Sequence, residues 1–410
     1  MKSPYRAHPF LPAFVFCSLT SAHAQLLLTG SGNGSAVRIF NTDMAVLEAG
    51  ESRKDLPCSV LNNKPVLGFD LRYHAGYEVS IPLRDISGTE NQLTILFRVT
   101  PDDGKQEPLY FTQRVRVPKI EEEASGDAYL QGTFDLGEGK YHVDWLMRDR
   151  MERVCSSYWD VEAALPGKDK QINLVLGPNI VRPADPEQFK EEPPVMRTQD
   201  EPPLNLKVLI NFAPQNAHGA TLQPLDTAAL VQILRSISRD PRVGKFSIIA
   251  FNMQEQRVVY RQDNADKIDF PALGEALTSL NLGTIDLKRL SNKHGDTEFL
   301  TNLIRQEVST DSVSTDAIVF AGPKTMLEES VPQESLRQIG DLKYPVFYMN
   351  YNLYPQAVPW SDAISKAVKF FKGYEYTISK PRDLFFAVSE MVGRISKLKH
   401  IRRASTSASE

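Results

Sequence analysis

From Phe69 onward the chain alternates apolar and polar residues with a period of two. Tyr77, Val79, Ile81 and Leu83 share one face of a predicted strand, and Leu93, Ile95, Phe97 and Val99 share a face of the next. Further strands are predicted at 110–117, 129–136, 141–148, 154–161 and 172–176, with Gly- and Asp-rich turns between several of them. This spacing predicts an all-β immunoglobulin-like sandwich over residues 69–177, with Trp145 and Trp159 in or beside its core. Before it, residues 25–68 are Gly- and Ser-rich and read as a loose N-terminal arm with one short strand at most.

The pattern changes after residue 205. The run Leu206 to Ala213 is apolar throughout and is followed by an amphipathic stretch in which Leu230, Ile233, Leu234 and Ile237 align at helical spacing. Buried strands are predicted again at 243–251, 316–321, 346–350 and 375–378, and 256–261 reads as a hairpin partner or edge strand. Helices are predicted at 270–280, 296–307, 334–339, 361–371 and 381–398, and 284–290 is a short strand or connector. Asp226 and Asp296 are placed to cap their helices, and Pro381 fits a first helical turn. Strands alternating with helices imply a C-terminal α/β domain over 206–398: a doubly wound, mostly parallel sheet whose first and central strand begins at Leu206. Ligands of such sheets bind beyond the carboxyl ends of the strands. Residues 399–410 read as a disordered tail.

Length and composition fit this division. A chain of 410 residues is long for a single core. Residues 178–205 hold seven prolines and few apolar residues, so an extended linker is expected there. The net charge of -4 argues against a nucleic-acid binder. Residues 1–24 read as a signal peptide: Lys2 and Arg6, an apolar run from Phe10 to Leu19, then Ala22-His23-Ala24 before Gln25. Export is therefore expected, periplasmic or extracellular, with no membrane insertion after cleavage because no stretch reaches the roughly 20 apolar residues a span needs. Cys58 and Cys155 remain after that cleavage. Both a disulfide and two buried free thiols are open readings. The acidic run Glu121-Glu122-Glu123 is a solvated loop, because it lacks the ligand spacing of a calcium loop.

The order of elements over 204–398 resembles a von Willebrand factor type A domain, and a strand-rich module in front of such a domain resembles the bacterial secreted VWFA-related family. That resemblance implies a divalent cation held by an Asp-x-Ser-x-Ser loop after the first strand, a Thr in a Gly-x-Thr loop and an Asp closing the fourth strand, the metal-ion-dependent adhesion site (MIDAS). Here the first loop reads Asn211-Phe212-Ala213-Pro214-Gln215, and Ala321 stands where the closing Asp is expected. Gly295-Asp296-Thr297 retains the threonine, Thr297. Neutral groups at these positions leave too little charge to dehydrate magnesium, so a degenerate MIDAS with no metal and no cofactor is expected.

The functional expectation is accordingly an exported, non-enzymatic protein-binding or envelope-assembly protein. Its recognition surface is Asn211, Ala213, Gln215, Thr297 and Ala321, with His218 nearby, and its partner is a protein. Two alternatives stand beside it. One is a secreted hydrolase assembling His218, His294, Asp296 and Ser291 above the sheet, although no Gly-x-Ser-x-Gly elbow occurs. The other is glycan binding by the sandwich, with Trp145 or Trp159 stacking on the sugar. No phosphate loop, dinucleotide fingerprint or His-Glu-x-x-His motif is present.

Overall fold

The computed structural model describes residues 26–28, 39–88, 90–185, 187–198, 202–215, 219, 221–282, 294–308, 315–327, 329–353 and 362–407. The signal-peptide residues 1–24, the connector 284–290, His218 and Ser291 lie outside them. The chain is multi-domain and rich in sheet, with two antiparallel sheets followed by one mixed sheet.

Alternation along the first half produces the antiparallel pair. One sheet runs β2 (Ser59–Leu67), β3 (Tyr73–Pro82), β6 (Asp127–Leu136), β9 (Val181–Pro183). The other runs β1 (Leu26–Leu28), β5 (Leu109–Val117), β4 (Asn91–Pro101), β7 (Gly139–Arg148), β8 (Val154–Ala163). The inward residues of both sheets meet in one core. Tyr77 packs edge-on against Phe97 and Trp145 with centroids 5.5 and 5.3 Å apart, and Phe111 stacks on Phe97 at 4.8 Å. Trp145 is fully buried, so it presents no ring face to a glycan, and Trp159 packs partly buried against the same core.

The stretch expected as a loose arm is structured instead. It forms helix α1 (Asn41–Ala49) and the nine-residue strand β2, which pairs antiparallel with β3. Cys58, just ahead of β2, forms a disulfide with the buried Cys155 of β8, tying the edge of one sheet to the edge of the other. A short helix α2 (Leu83–Ile86) follows β3.

The second half forms one six-stranded mixed sheet ordered β12-β11-β10-β13-β14-β15. Its strands are β10 (Leu204–Asn211), β11 (Val243–Asn252), β12 (Arg257–Ala265), β13 (Ala317–Pro323), β14 (Val346–Tyr351) and β15 (Tyr374–Ile378). Every pairing is parallel except that of the edge strand β12. Successive residues of β10 point to opposite faces and both faces are covered. Leu206, Val208 and Ile210 meet α3 (Pro224–Ser238), α4 (Phe270–Leu277) and α8 (Pro381–Ser407) through Leu230, Phe270 and Met391. Leu209 faces α5 (Gly295–Glu307), α6 (Gln333–Arg337) and α7 (Ala363–Phe370) through Leu300, Leu336 and Ile364.

Two helix starts differ from expectation. Pro224 is compatible with the first turn and α3 begins there, so Asp226 sits inside the helix rather than at its cap. His294 occupies the cap of α5, and Asp296 instead accepts a hydrogen bond from Gln256 Nε2 at 2.7 Å. The expected disordered tail is also partly helical, since α8 continues to Ser407.

The Pro-rich stretch is anchored. Arg239 makes a forked pair with Glu192 at 2.7 and 3.0 Å, and Arg235, only 9% exposed, reaches the same carboxylate at 2.9 Å. Arg197 donates to the carbonyls of Ser238 and Asp240, and the side chain of Phe189 lies so close to Gly274 that a Cβ there would come within 2.6 Å of it. Residues 188–198 thus form a strap on α3 and α4. Among the described residues no helix is long and apolar enough to cross a membrane.

Candidate functional site

The strand order reverses direction between β10 and β13, and the crevice at their carboxyl ends is the place where a sheet of this kind takes a ligand. Asn211 fills it. The side chain is 1% exposed, its Oδ1 accepts the Met253 backbone N–H at 3.2 Å, and its Nδ2 donates to Thr325 Oγ1 at 3.4 Å. Gly322, with φ at 142°, makes the approach possible, because a Cβ on it would lie 2.8 Å from the Asn211 Cβ. Ala321 is fully buried beside Ile210 and Met349, and Ala213 is 7% exposed. Gln215 donates to Asn352 Oδ1 at 3.4 Å. Thr297 turns its hydroxyl to the Glu329 carbonyl at 3.2 Å. The neutral groups thus spend their polar atoms on one another and on the backbone.

Two residues that sequence reasoning does not reach complete this edge. Asn252 donates to the Phe212 carbonyl and accepts the Glu255 N–H at 2.7 Å. Asp362 Oδ1 accepts the Thr325 and Ile364 N–H groups at 3.1 and 3.0 Å, closing the loop after β13 and capping α7. Burial pushes the Asp362 carboxyl up to about 6 against these donors and the Tyr348 hydroxyl. Burial also raises Asp226, opposed by the Gln215 and Gln223 N–H groups and the Tyr351 hydroxyl. The signal for the amides was present in sequence: Asn211, Asn252 and Asn350 each follow an apolar run.

Beside this edge, at the start of α5, lies an open cavity of about 470 Å³ lined by His294, Thr297, Glu298, Thr301, Asn302, Glu329 and Pro332. His294 Nδ1 faces Glu329 Oε2 at 3.3 Å. Both lining hydroxyls are committed to carbonyls, Thr301 to Thr297 O at 2.6 Å and Thr297 to Glu329 O, so neither is poised as a nucleophile.

A second cluster stands in the antiparallel domain. His74 Nδ1 lies 2.8 Å from Asp135 Oδ1 and Nε2 lies 3.0 Å from Asp70 Oδ1, while Arg72 Nη1 reaches Asp135 Oδ2 at 3.2 Å. The three acid and imidazole groups converge closely enough to invite a metal reading. The geometry suits a proton better, because the two ring nitrogens point apart, each at its own carboxylate, and the Arg72 guanidinium opposes a further cation. Burial disfavours charge on His74, but the Asp135 and Asp70 carboxylates outweigh it and hold the imidazolium up to about 10. Asp70 lies below its ordinary range: burial pushes it up, and the His74 and Arg72 cations outweigh that.

With a folded value above the unfolded one, the stabilisation from His74 is complete below pH about 6.5 and is lost as pH rises through about 10. His74→Ala should therefore cost about 2 kcal/mol near pH 6, less than for a fully buried pair because 39% of the side chain meets solvent. The gap between wild type and variant in urea denaturation should close towards pH 10. A gap unchanged across that interval would mean the ring is neutral.

The chain matches no family model and no curated protein. Among solved structures it is similar to the PilB minor pilin from Streptococcus sanguinis, with 8% identity and a TM-score of 0.28 over 74% of this chain and 87% of that one. It is also similar to a β-glucuronidase from Bacteroides uniformis, with 9% identity and a TM-score of 0.18 over 77% of this chain. A glycosyl hydrolase family 2 member from Bacteroides cellulosilyticus aligns with 11% identity and a TM-score of 0.19 over 79% of this chain. The chain spans only 38% and 39% of those two hydrolases. Likenesses at these scores carry no argument about function.

Proposed function

We propose that the chain is an exported, non-enzymatic protein of the VWFA-related kind: an immunoglobulin-like β-sandwich followed by a von Willebrand A-like domain that recognises a protein partner without a cation. The observation that carries this reading is Asn211, an amide seated in the switch-point crevice with both polar atoms bonded to protein. Numbered from β10, the strand order is 3-2-1-4-5-6 with the third strand antiparallel, which supports the A-like reading. The disulfide supports an oxidising compartment. Leu225 at the start of α3 and Met326 after β13 stand at the carboxyl end of the sheet, 52% and 49% exposed, and are the apolar contacts such a surface would offer.

Isothermal titration with magnesium, manganese and calcium should give no heat of binding in the micromolar range. Binding at one site per chain would sink the cation-free claim. Capture of a partner from cell-envelope extract should be lost in Leu225→Asp and Met326→Asp and kept in a variant of the exposed Met151. A second reading, a hydrolase, rests on the His294–Glu329 pair and needs a nucleophile other than the two lining threonines; turnover of generic ester or peptide substrates that disappears in His294→Ala would establish it instead.

A further inference from the structure

The hairpin between β2 and β3 spans two environments. Its own domain fixes its shape: Gly68 N–H donates to the Arg72 carbonyl at 2.8 Å and Leu71 N–H to the Gly68 carbonyl at 3.0 Å. Leu71 adopts the left-handed conformation at φ 59° and packs on the core between the two antiparallel sheets. Asp70 Oδ1 accepts both the Arg72 N–H, at 3.3 Å, and the His74 ring. A Cβ on Gly68 would lie 2.3 Å from His74 Nε2, so a larger residue there would displace the ring. Phe69 points the other way, and the Arg72 guanidinium lies within electrostatic reach of Arg235 in α3. Phe69 packs edge-on against Tyr351 at the carboxyl end of β14, with ring centroids 6.3 Å apart, and joins the core of the mixed-sheet domain.

Among the described residues, further contacts between the domains lie at the start of α8. Arg382 Nη1, at the start of α8, pairs with Asp169 Oδ1 at 3.0 Å, and Phe385 lies against the antiparallel core. The covalent connection is short. Pro183 ends β9 in the first domain, and Gln188 Nε2 already donates to the Pro224 carbonyl of α3 in the second at 3.2 Å. Four residues of sequence lie between Pro183 and Gln188, a reach of roughly 13 Å that allows rotation but not separation.

We propose that the Gly68–Arg72 hairpin is a releasable clasp: when the domains are docked its Phe69 covers the Tyr351 end of the mixed sheet's carboxyl edge, and rotation about the short connection between Pro183 and Gln188 lifts it off. Because the hairpin is braced by its own domain, it undocks without unfolding, and what it uncovers is apolar surface next to the edge where a ligand of such a sheet would bind. The clasp requires neither a von Willebrand A-like domain nor any partner.

The test uses the full-length chain, with hydrogen exchange followed by mass spectrometry and cleavage by a Glu-specific protease at the exposed Glu187. In Phe69→Asp, peptides covering 349–353 and 381–388 should exchange at least ten-fold faster and cleavage at Glu187 should rise by a similar factor, with β3 and β6 protected as before. Arg382→Asp should do the same to a smaller extent, and adding Asp169→Arg should restore the wild-type rates. Unchanged exchange and cleavage in both single variants would overturn the clasp, as would loss of protection across 59–136 in Phe69→Asp. Wild-type cleavage at Glu187 should be nearly independent of urea below the unfolding transition. Cleavage that rises with urea as steeply as global unfolding would overturn its release.

Discussion

Breaking the Cys58–Cys155 bridge, by a reductant or by Cys58→Ser with Cys155→Ala, is expected to cost the antiparallel domain about 4 kcal/mol. The bond closes a loop between residues 97 apart in sequence, and in the chain-entropy account a loop of roughly 100 residues is worth nearly 5 kcal/mol, less whatever the reduced chain retains. The loss should be local. Strand β2 has one strand partner and a mostly exposed surface, so its amides and those of α1 should lose hydrogen-exchange protection first, while β10, β13 and β14 keep theirs. Urea denaturation with and without reductant measures the effect. A change below about 1 kcal/mol would show that the β2–β3 ladder holds the segment unaided.

Asn211→Asp is expected to destabilise the mixed-sheet domain by about 3 kcal/mol at neutral pH. It places a charge where the side chain is 1% exposed, with the Met253 N–H and a rotated Thr325 hydroxyl as its donors. Asp362, which binds the Thr325 N–H, adds a second carboxylate to the same network. Burial disfavours the ionised form, so the deficit should shrink on acidification as the new carboxyl takes up a proton. Magnesium should not rescue it, because Ala213 and Ala321 bring no oxygen-bearing side chain to the crevice. Thermal unfolding of the variant from pH 5 to 8, with and without millimolar magnesium, decides this. Full recovery with magnesium would mean that one residue separates the site from a working cation cradle.

What could be foreseen from the residues follows their burial. Strands β10, β13 and β14 are buried along almost their whole length and announce themselves as apolar runs, and β3 and β4 alternate because one face of each meets a core. Strand β2 escaped notice because none of its residues is fully buried, and α1 because it buries only Asp43, Val46 and Leu47. An edge strand held by backbone pairing leaves little trace in hydrophobic periodicity. The His74 cluster was invisible for another reason: Asp70 and His74 meet Asp135 only through the β3–β6 ladder, 61 residues away in sequence from His74. At the carboxyl edge Asn211, Gln215 and Thr297 could be named from the sequence one by one, but Asp362 could not, since its partners at Thr325 and Ile364 come from the loop after β13 and from its own helix.

The strap also decides where the polypeptide can be divided. A fragment beginning at Leu204, the natural cut if the Pro-rich stretch were slack, would take Glu192 from Arg235 and Arg239 and Phe189 from the core it packs against, and uncover the faces of α3 and α4 on which the strap lies. Such a piece would tend to aggregate for reasons unrelated to the autonomy of its sheet. Cutting next to Pro186 instead keeps Glu192 with Arg235 and Arg239, and makes independent folding of the two halves a fairer comparison.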